Sequence, residues 1–345
     1  MSDSTRETHL SAPADRSRRV VVFGLGGTIA MTADATGGVV PALSAADLVA
    51  AVPGLADTGI EVRVEDFRRV PGASLTIDDL AALAEAIAET LDGGIDGVVV
   101  TQGTDTIEET AYLLDLAHAG QQPIVVTGAM RNPTMAGADG PANLLAAVQV
   151  AAAPEARGLG TLVVLADEIH AAARVRKTHS TSTAAFRSPD GGPLGHVVEG
   201  AARILNRPRH RVTVPAPPPG RTVEVAVLTM TLGDSGVLLD GVADRLDGLV
   251  VAGFGVGHVP AGLVARLAEL AAAMPVVLAS RTGAGSVLAA TYGFAGSESD
   301  LLARGLIPAG FLDPLKARVL LHRLLALGVD PAEIRAVFGT ASGHA

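Results

Sequence analysis

At 345 residues, 48% hydrophobic and 18% charged, the chain is long enough to bury a large core and to divide into two domains. A formal charge of -10 excludes the basic face that non-specific phosphate binding needs, so no nucleic-acid partner is expected. With zero cysteines there is no disulfide framework, no thiol nucleophile and no cysteine metal site, which fits a reducing cytosol.

The first 19 residues are polar and mixed in charge, without the apolar stretch of a signal peptide, and no run of 18 apolar residues occurs anywhere. A cytoplasmic protein without a membrane partner is expected. Val20 to Leu25 then reads as the first strand, Asp47 to Val52 as a short helix and Ile60 to Val70 as an extended segment. Thr76 opens a helix running to about Leu91, with Asp78 and Asp79 in its first turn, where negative charge suits the helix dipole. Val98 to Thr101 is a buried strand and Ile107 to Ala119 a helix with Glu108 and Glu109 at its start. Pro123 to Gly128, Asn143 to Ala153 and Thr161 to Ala166 continue as strand, helix and strand.

From Arg207 to Arg221 the pattern breaks into Arg-Pro-Arg-His-Arg and then a proline-rich stretch that cannot continue a helix or a central strand. The alternation resumes with a strand at Val223 to Met230, a helix from Val237, a strand at Gly248 to Gly253 and a helix at Ala261 to Ala273. Val276 to Ala279 is a last strand, and a helical region runs from Pro314. Short apolar runs alternating with alanine-rich amphipathic stretches are the pattern of parallel strands covered by helices. The reading is α/β throughout: a polar tail over 1–19, a larger doubly wound catalytic domain over 20–206, a linker over 207–221 and a smaller parallel α/β domain over 222–345.

Two threonine turns follow the two most strand-like runs. The first, Gly24-Leu25-Gly26-Gly27-Thr28, lacks the lysine ending of a P-loop and the glycine spacing of a dinucleotide fingerprint. It offers either a cap for the following turn or a hydroxyl nucleophile flanked by backbone N–H groups. The second, Gly103-Thr104-Asp105-Thr106, precedes a helix. It reads equally as an anion-holding turn or as a helix cap with Asp105 or Thr106 at the N-cap. Lysine occurs only at Lys177 and Lys316, and lysine, unlike arginine, can lose its proton and serve as a base.

Gly26-Gly27-Thr28-Ile29-Ala30, Gly103-Thr104-Asp105-Thr106-Ile107-Glu108-Glu109-Thr110, Gly128-Ala129-Met130-Arg131, Asp139-Gly140-Pro141 with Asn143, Val175-Arg176-Lys177-Thr178 and Lys316-Ala317-Arg318 together resemble the bacterial-type L-asparaginases, over essentially the whole chain from residue 20. The resemblance implies an amidohydrolase that releases ammonia from asparagine, and often glutamine, through a threonine acyl-enzyme without metal or organic cofactor. It implies Thr28 as nucleophile, a relay of Thr104, Asp105 and Lys177, and Asp105 as a holder of the substrate amino group. It also implies a homodimer or homotetramer with the site near a subunit interface. The small-molecule substrate would further meet the stretch Gly72, Ala73 and Ser74.

Several positions depart from that pattern. The family's loop tyrosine falls near Gly37 or Gly38, where there is none; the two tyrosines are Tyr112, expected in the core, and Tyr292. Gly72 and Ala73 stand where the family has a serine-glutamine pair, and Val256 where it offers an asparagine to the neighbouring subunit. His258 is a nearby polar candidate, whereas Glu298 and Asp300 read as a solvated loop. His170 and His179 lack metal-ligand spacing and read as surface or hydrogen-bonding residues. The cluster from Arg203 to Arg211 reads as a solvated interdomain face. Two alternatives share the motifs. One is the ammonia-supplying amidase subunit of a tRNA-dependent transamidase, which the short tail argues against; the other is a non-catalytic amino-acid-binding relative.

Overall fold

The computed structural model describes residues 17–27, 29, 31–33, 39–41 and 44–343. The first half runs β1 (Arg19–Gly24), β2 (Met31–Ala33), β3 (Val39–Pro41), α1 (Ala45–Ala50), β4 (Glu61–Asp66), α2 (Ile77–Asp92), β5 (Gly97–Thr101), α3 (Ile107–Ala117), β6 (Ile124–Thr127), α4 (Gly140–Ala152) and β7 (Thr161–Leu165). Strands β8 (Glu168–Ala171), β9 (Arg176–Lys177), β10 (Phe186–Arg187), β11 (Gly195–Val198) and β12 (Ala201–Ile204) follow. The second half holds β13 (Val225–Thr229), β14 (Gly248–Gly253), α5 (Val264–Ala273), β15 (Val276–Ser280), α6 (Glu298–Ala303), β16 (Ile307–Pro308), α7 (Pro314–Leu327) and α8 (Pro331–Ala341).

The larger sheet has the order β12-β11-β8-β7-β6-β5-β1-β4. It is parallel from β4 to β7 and closes with antiparallel pairs at the β12 edge. The smaller sheet, β13-β14-β15-β16, is parallel throughout. In the central strands alternate residues enter different cores. Val21, Phe23, Val98 and Val100 pack with α2 and α3, whereas Val20, Val22 and Val99 pack with α4. That is why these strands read as continuous apolar runs. The first of these cores also takes in Ala317, Leu320, Leu321 and Leu324 of α7 and one face of the smaller sheet. Helix α7, from the end of the chain, therefore packs on the N-terminal half.

Helix starts follow local chemistry. The Thr76 hydroxyl accepts from Asp79 N and the Asp79 carboxylate accepts from Thr76 N, both at 3.1 Å, closing a capping box at α2. Several expectations shift. Helix α1 is capped by Ser44 and so starts and ends two residues before the expected Asp47 to Val52. Val237–Leu239 is one 3-10 turn, not a helix: Gly236 and Gly241 have φ of 74° and 64°, and Val237 and Leu238 stay 66% and 70% exposed, so no apolar face holds further turns. The antiparallel strands β8, β11 and β12 and the short α6 carry no strong sequence pattern and were not anticipated. No helix of the described residues is long and apolar enough to cross a membrane.

The arginine cluster differs from its sequence reading, and of the two roles read for His170 the structure shows the hydrogen-bonding one. The 203–211 cluster is not uniformly solvated, because Arg211 Nη2 lies 2.9 Å from the buried Asp115 carboxylate and 2.8 Å from His118 O. His170 is fully buried, with Nδ1 2.9 Å from Ser188 Oγ. Its Nε2 stands 3.3 Å from Glu168 Oε2 but is too poorly aligned to bond it. Burial pushes the imidazole down to about 4, against the pull of Glu168. A depressed histidine leaves the unfolded chain holding the extra proton between about pH 6.5 and 4, so stability is full above that window and lost as pH falls through it. The folded state should lose on the order of 3 kcal/mol there that a His170→Gln variant does not lose. Urea unfolding at pH 7 and pH 4 measures the difference; parallel losses in both proteins would refute it.

Candidate active site

The parallel register sets Asp66, Gly24, Thr101 and Thr127 side by side, so the turns after β4, β1, β5 and β6 open at one edge. Strand β1 has β4 on one side and β5 on the other, the reversal point at which open α/β sheets collect ligands.

Glycines let these turns touch through their backbones. Gly26 and Gly27 have φ of 94° and 88°, a region in which side chains are strained. A Cβ on Gly27 would stand 2.0 Å from Gly103 N, one on Gly72 2.8 Å from Gly103 O, and one on Gly128 2.6 Å from Gln102 O. The β1, β4 and β6 turns thus all press on the β5 turn. Asp139 holds the β6 turn by accepting from Met130 N at 3.1 Å and Arg131 N at 2.8 Å, and Asn143 Nδ2 donates to Gly128 O at 2.9 Å.

The β5 turn continues as a 3-10 turn, Thr104–Thr106, that runs into α3. Asp105 and Thr106 do not act as the cap. Thr106 occupies the N-cap position, but its hydroxyl donates to Gly72 O at 3.0 Å and accepts from Gln102 Nε2 at 3.2 Å. Asp105 turns to Lys177 instead.

Lys177 Nζ reaches Thr104 Oγ1 at 2.9 Å and Asp105 Oδ1 at 3.3 Å. Thr104 is 6% exposed, while the Lys177 and Asp105 side chains are 17% and 62% exposed. A buried hydroxyl, an enclosed amine and an open carboxylate therefore form a graded set. The ammonium donates to the hydroxyl oxygen; once neutral, the same amine can accept the hydroxyl proton across the same contact.

Gly72, Ala73 and Ser74 form a 3-10 turn against this set, with Gly72 buried and the other two exposed. Thr28 lies outside the described residues, as do Gly37 and Gly38. Its sequence neighbours are placed, Gly27 against Gly103 and Ile29 in the core.

Two readings are corrected. Glu298 is not solvated: it is 0% exposed, and its carboxylate accepts from Thr291 N at 2.9 Å and Tyr292 N at 2.8 Å. Burial would raise its pKa, but these bonds and His258 outweigh that and hold the carboxyl below its ordinary range. Asp300 is partly buried, bonded to Gly296 N at 2.9 Å and Arg304 at 2.8 Å. His258 pairs with Glu298 at 3.2 Å, and among the described residues no bond links them to Thr104 or Lys177. Tyr112 is in the core, as expected. Sequence reasoning gave no site role to Gln102, Glu108 or Lys316. Gln102 showed no signal of its own, Glu108 resembled a dipole-compensating acid within a family motif, and Lys316 stood out only as one of two lysines and as the start of another family motif.

Comparison with known proteins shows which family the chain resembles. A family model described as asparaginase, N-terminal, matches residues 19–210, and one described as glutaminase/asparaginase C-terminal domain matches residues 224–338. The chain is 40% identical to a probable L-asparaginase of Deinococcus radiodurans, covering 93% of this chain and 97% of that one. It is 33% identical to L-asparaginase 2 of Escherichia coli over 92% of each, and 33% identical to a glutaminase-asparaginase of Pseudomonas aeruginosa over 95% and 91%. The solved probable cytoplasmic L-asparaginase of Campylobacter jejuni superposes with a TM-score of 0.84 at 35% identity, covering 94% of this chain and all of that one. The two family models together span both halves of the chain and the relatives match it along nearly its whole length, so the chain belongs to the bacterial-type L-asparaginase family.

Proposed function

We propose that this protein is an L-asparaginase, hydrolysing L-asparagine to L-aspartate and ammonia with a side activity on glutamine. The observation that carries the reading is Lys177 Nζ at 2.9 Å from Thr104 Oγ1, with Asp105 beside it at 3.3 Å. A binding pocket has no need of a lysine aimed at a buried hydroxyl, whereas proton transfer does. In this reading the Thr28 hydroxyl attacks the side-chain amide carbon, ammonia departs with a proton, and a water activated through Thr104 and Lys177 cleaves the acyl-enzyme. Exposed Asp105 and the Gly72, Ala73 and Ser74 turn receive the substrate's α-amino and carboxylate end. Backbone N–H groups of the glycine turns face the oxygen that gains charge, each donor contributing roughly 2.7–4 kcal/mol.

The protein acts in the cytoplasm as a homodimer or homotetramer with the site near a subunit interface. Its units are a tail over 1–19, a catalytic domain over 20–206, a linker over 207–221 and a C-terminal domain over 222–345, a division supported by sheets that end at Ile204 and restart at Val225. Ammonia release from millimolar asparagine by the purified protein is the expected result, with slower release from glutamine. Silence on both amides would end the proposal.

A further inference from the structure

Behind Thr104 and Lys177 lies an enclosed set of charges with no part in the bond-breaking steps. Lys316, in the first turn of α7, is 0% exposed. Its ammonium donates to Asp313 Oδ2 at 2.6 Å, to Val175 O at 2.6 Å and, at the limit of bonding, to Glu108 Oε2 at 3.5 Å. Three oxygens meet the three donors of an ammonium. Every other basic residue except Lys177 is arginine, whose planar fork cannot aim at three oxygens grouped around one point.

Glu108 extends this set to the active site. Its carboxylate pairs with Lys316 Nζ, and the backbone N–H of Lys177 is the weakest of the influences that lower its pKa. Burial pushes its carboxyl above the ordinary range against the pull of Lys316; at Asp313 the lysine's charge and bonds outweigh burial and hold the carboxyl below it. Strand β9 is two residues long and pairs with β10 alone among the described residues, so its own ladder anchors it weakly. The peptide group before Arg176 is gripped instead, Val175 C=O by Lys316, which Asp313 and Glu108 hold in turn. Thr104 and Glu108 leave the same helical start. The hydroxyl that meets the Lys177 side chain and a carboxylate that pairs with Lys316 therefore stand on one helical start.

We propose that Glu108 and Lys316 are positioning residues for Lys177, locking β9 so that the amine stays within reach of Thr104 and tying helix α7 to the catalytic group. The proposal rests on the amidohydrolase reading above. Its test compares Glu108→Gln, which keeps an acceptor for the Lys316 ammonium, with Glu108→Met, which keeps volume without one, by steady-state ammonia release.

Glu108→Met should lower kcat by on the order of 10²-fold with KM within about twofold, because a displacement near 1 Å costs that much, and Glu108→Gln should restore kcat to within about threefold of the parent. Unchanged kcat in Glu108→Met, equal loss in both variants, or loss carried by KM would overturn the proposal. If Glu108→Met does not fold, Lys316→Arg decides, since it keeps a charge beside Asp313 but gives up the bond to Val175. The same kcat loss sustains the proposal and full kcat removes it. A parent protein that releases no ammonia would refute the functional reading itself, while an active parent with fully active variants would refute only this inference.

Discussion

Replacing Lys177 by methionine is expected to lower kcat for ammonia release by about 10³-fold and leave the folded state nearly as stable as before. The rate effect follows from geometry. Among the described residues the amine is the one basic side chain bonded to Thr104 Oγ1, and removing a positioned proton acceptor costs roughly 10²–10⁴ in rate. The small stability effect follows from exposure. The Asp105 partner is 62% exposed, and an ion pair with one end in water contributes only about 0–1 kcal/mol. The methylene stem that Lys177 packs survives in methionine. Ammonia release and a thermal melt on the same preparation separate the two effects. A variant that turns over within tenfold of the parent would remove Lys177 from the relay, and one that melts far lower would make its role structural.

Gly27→Ala should be nearly as damaging to activity by another route. At a φ of 88° an alanine pays the left-handed penalty, about 1–2 kcal/mol, and its Cβ falls 2.0 Å from Gly103 N, inside backbone that cannot rotate away. The two threonine turns must then separate. A displacement near 1 Å costs about 10²-fold in rate, so kcat should fall by that order together with a drop in melting temperature. Gly54→Ala is the control, since Gly54 has a similar φ of 77° and nothing within 4 Å of its added Cβ. It should lose a little stability and keep its kcat. If both variants keep full activity, contact between the turns has no catalytic importance.

Much of this was legible in the chain because the signals are local. Parallel strands flanked by amphipathic helices show as apolar runs and 3.6-residue periodicity, and Thr76 announced its helix through Asp79 three residues on. Val237 misled because three apolar residues suggested a helix, while two left-handed glycines confine it to one turn. Strands β8, β11 and β12 escaped notice because short antiparallel edge strands take their order from pairing partners. Glu298 was misread for the same reason, since a glutamate's burial depends on what folds over it.

The division at the site is equally physical. The sequence by itself determined the ingredients, which are two glycine-braced threonine turns, an acid beside the second, and two lysines in a chain otherwise served by arginine. Those are covalent facts, and turn chemistry makes them readable one segment at a time. Only the tertiary structure decided that Gly27 and Gly103 touch, that Thr106 bonds Gly72 rather than capping α3, and that Lys177 reaches Thr104 from a strand far along the chain. Above all it decided that Lys316 lies buried behind β9, because helix α7 packs on α3 and shares its core. An ammonium can be buried only where oxygens from distant segments surround it, and that condition exists only once the chain has folded.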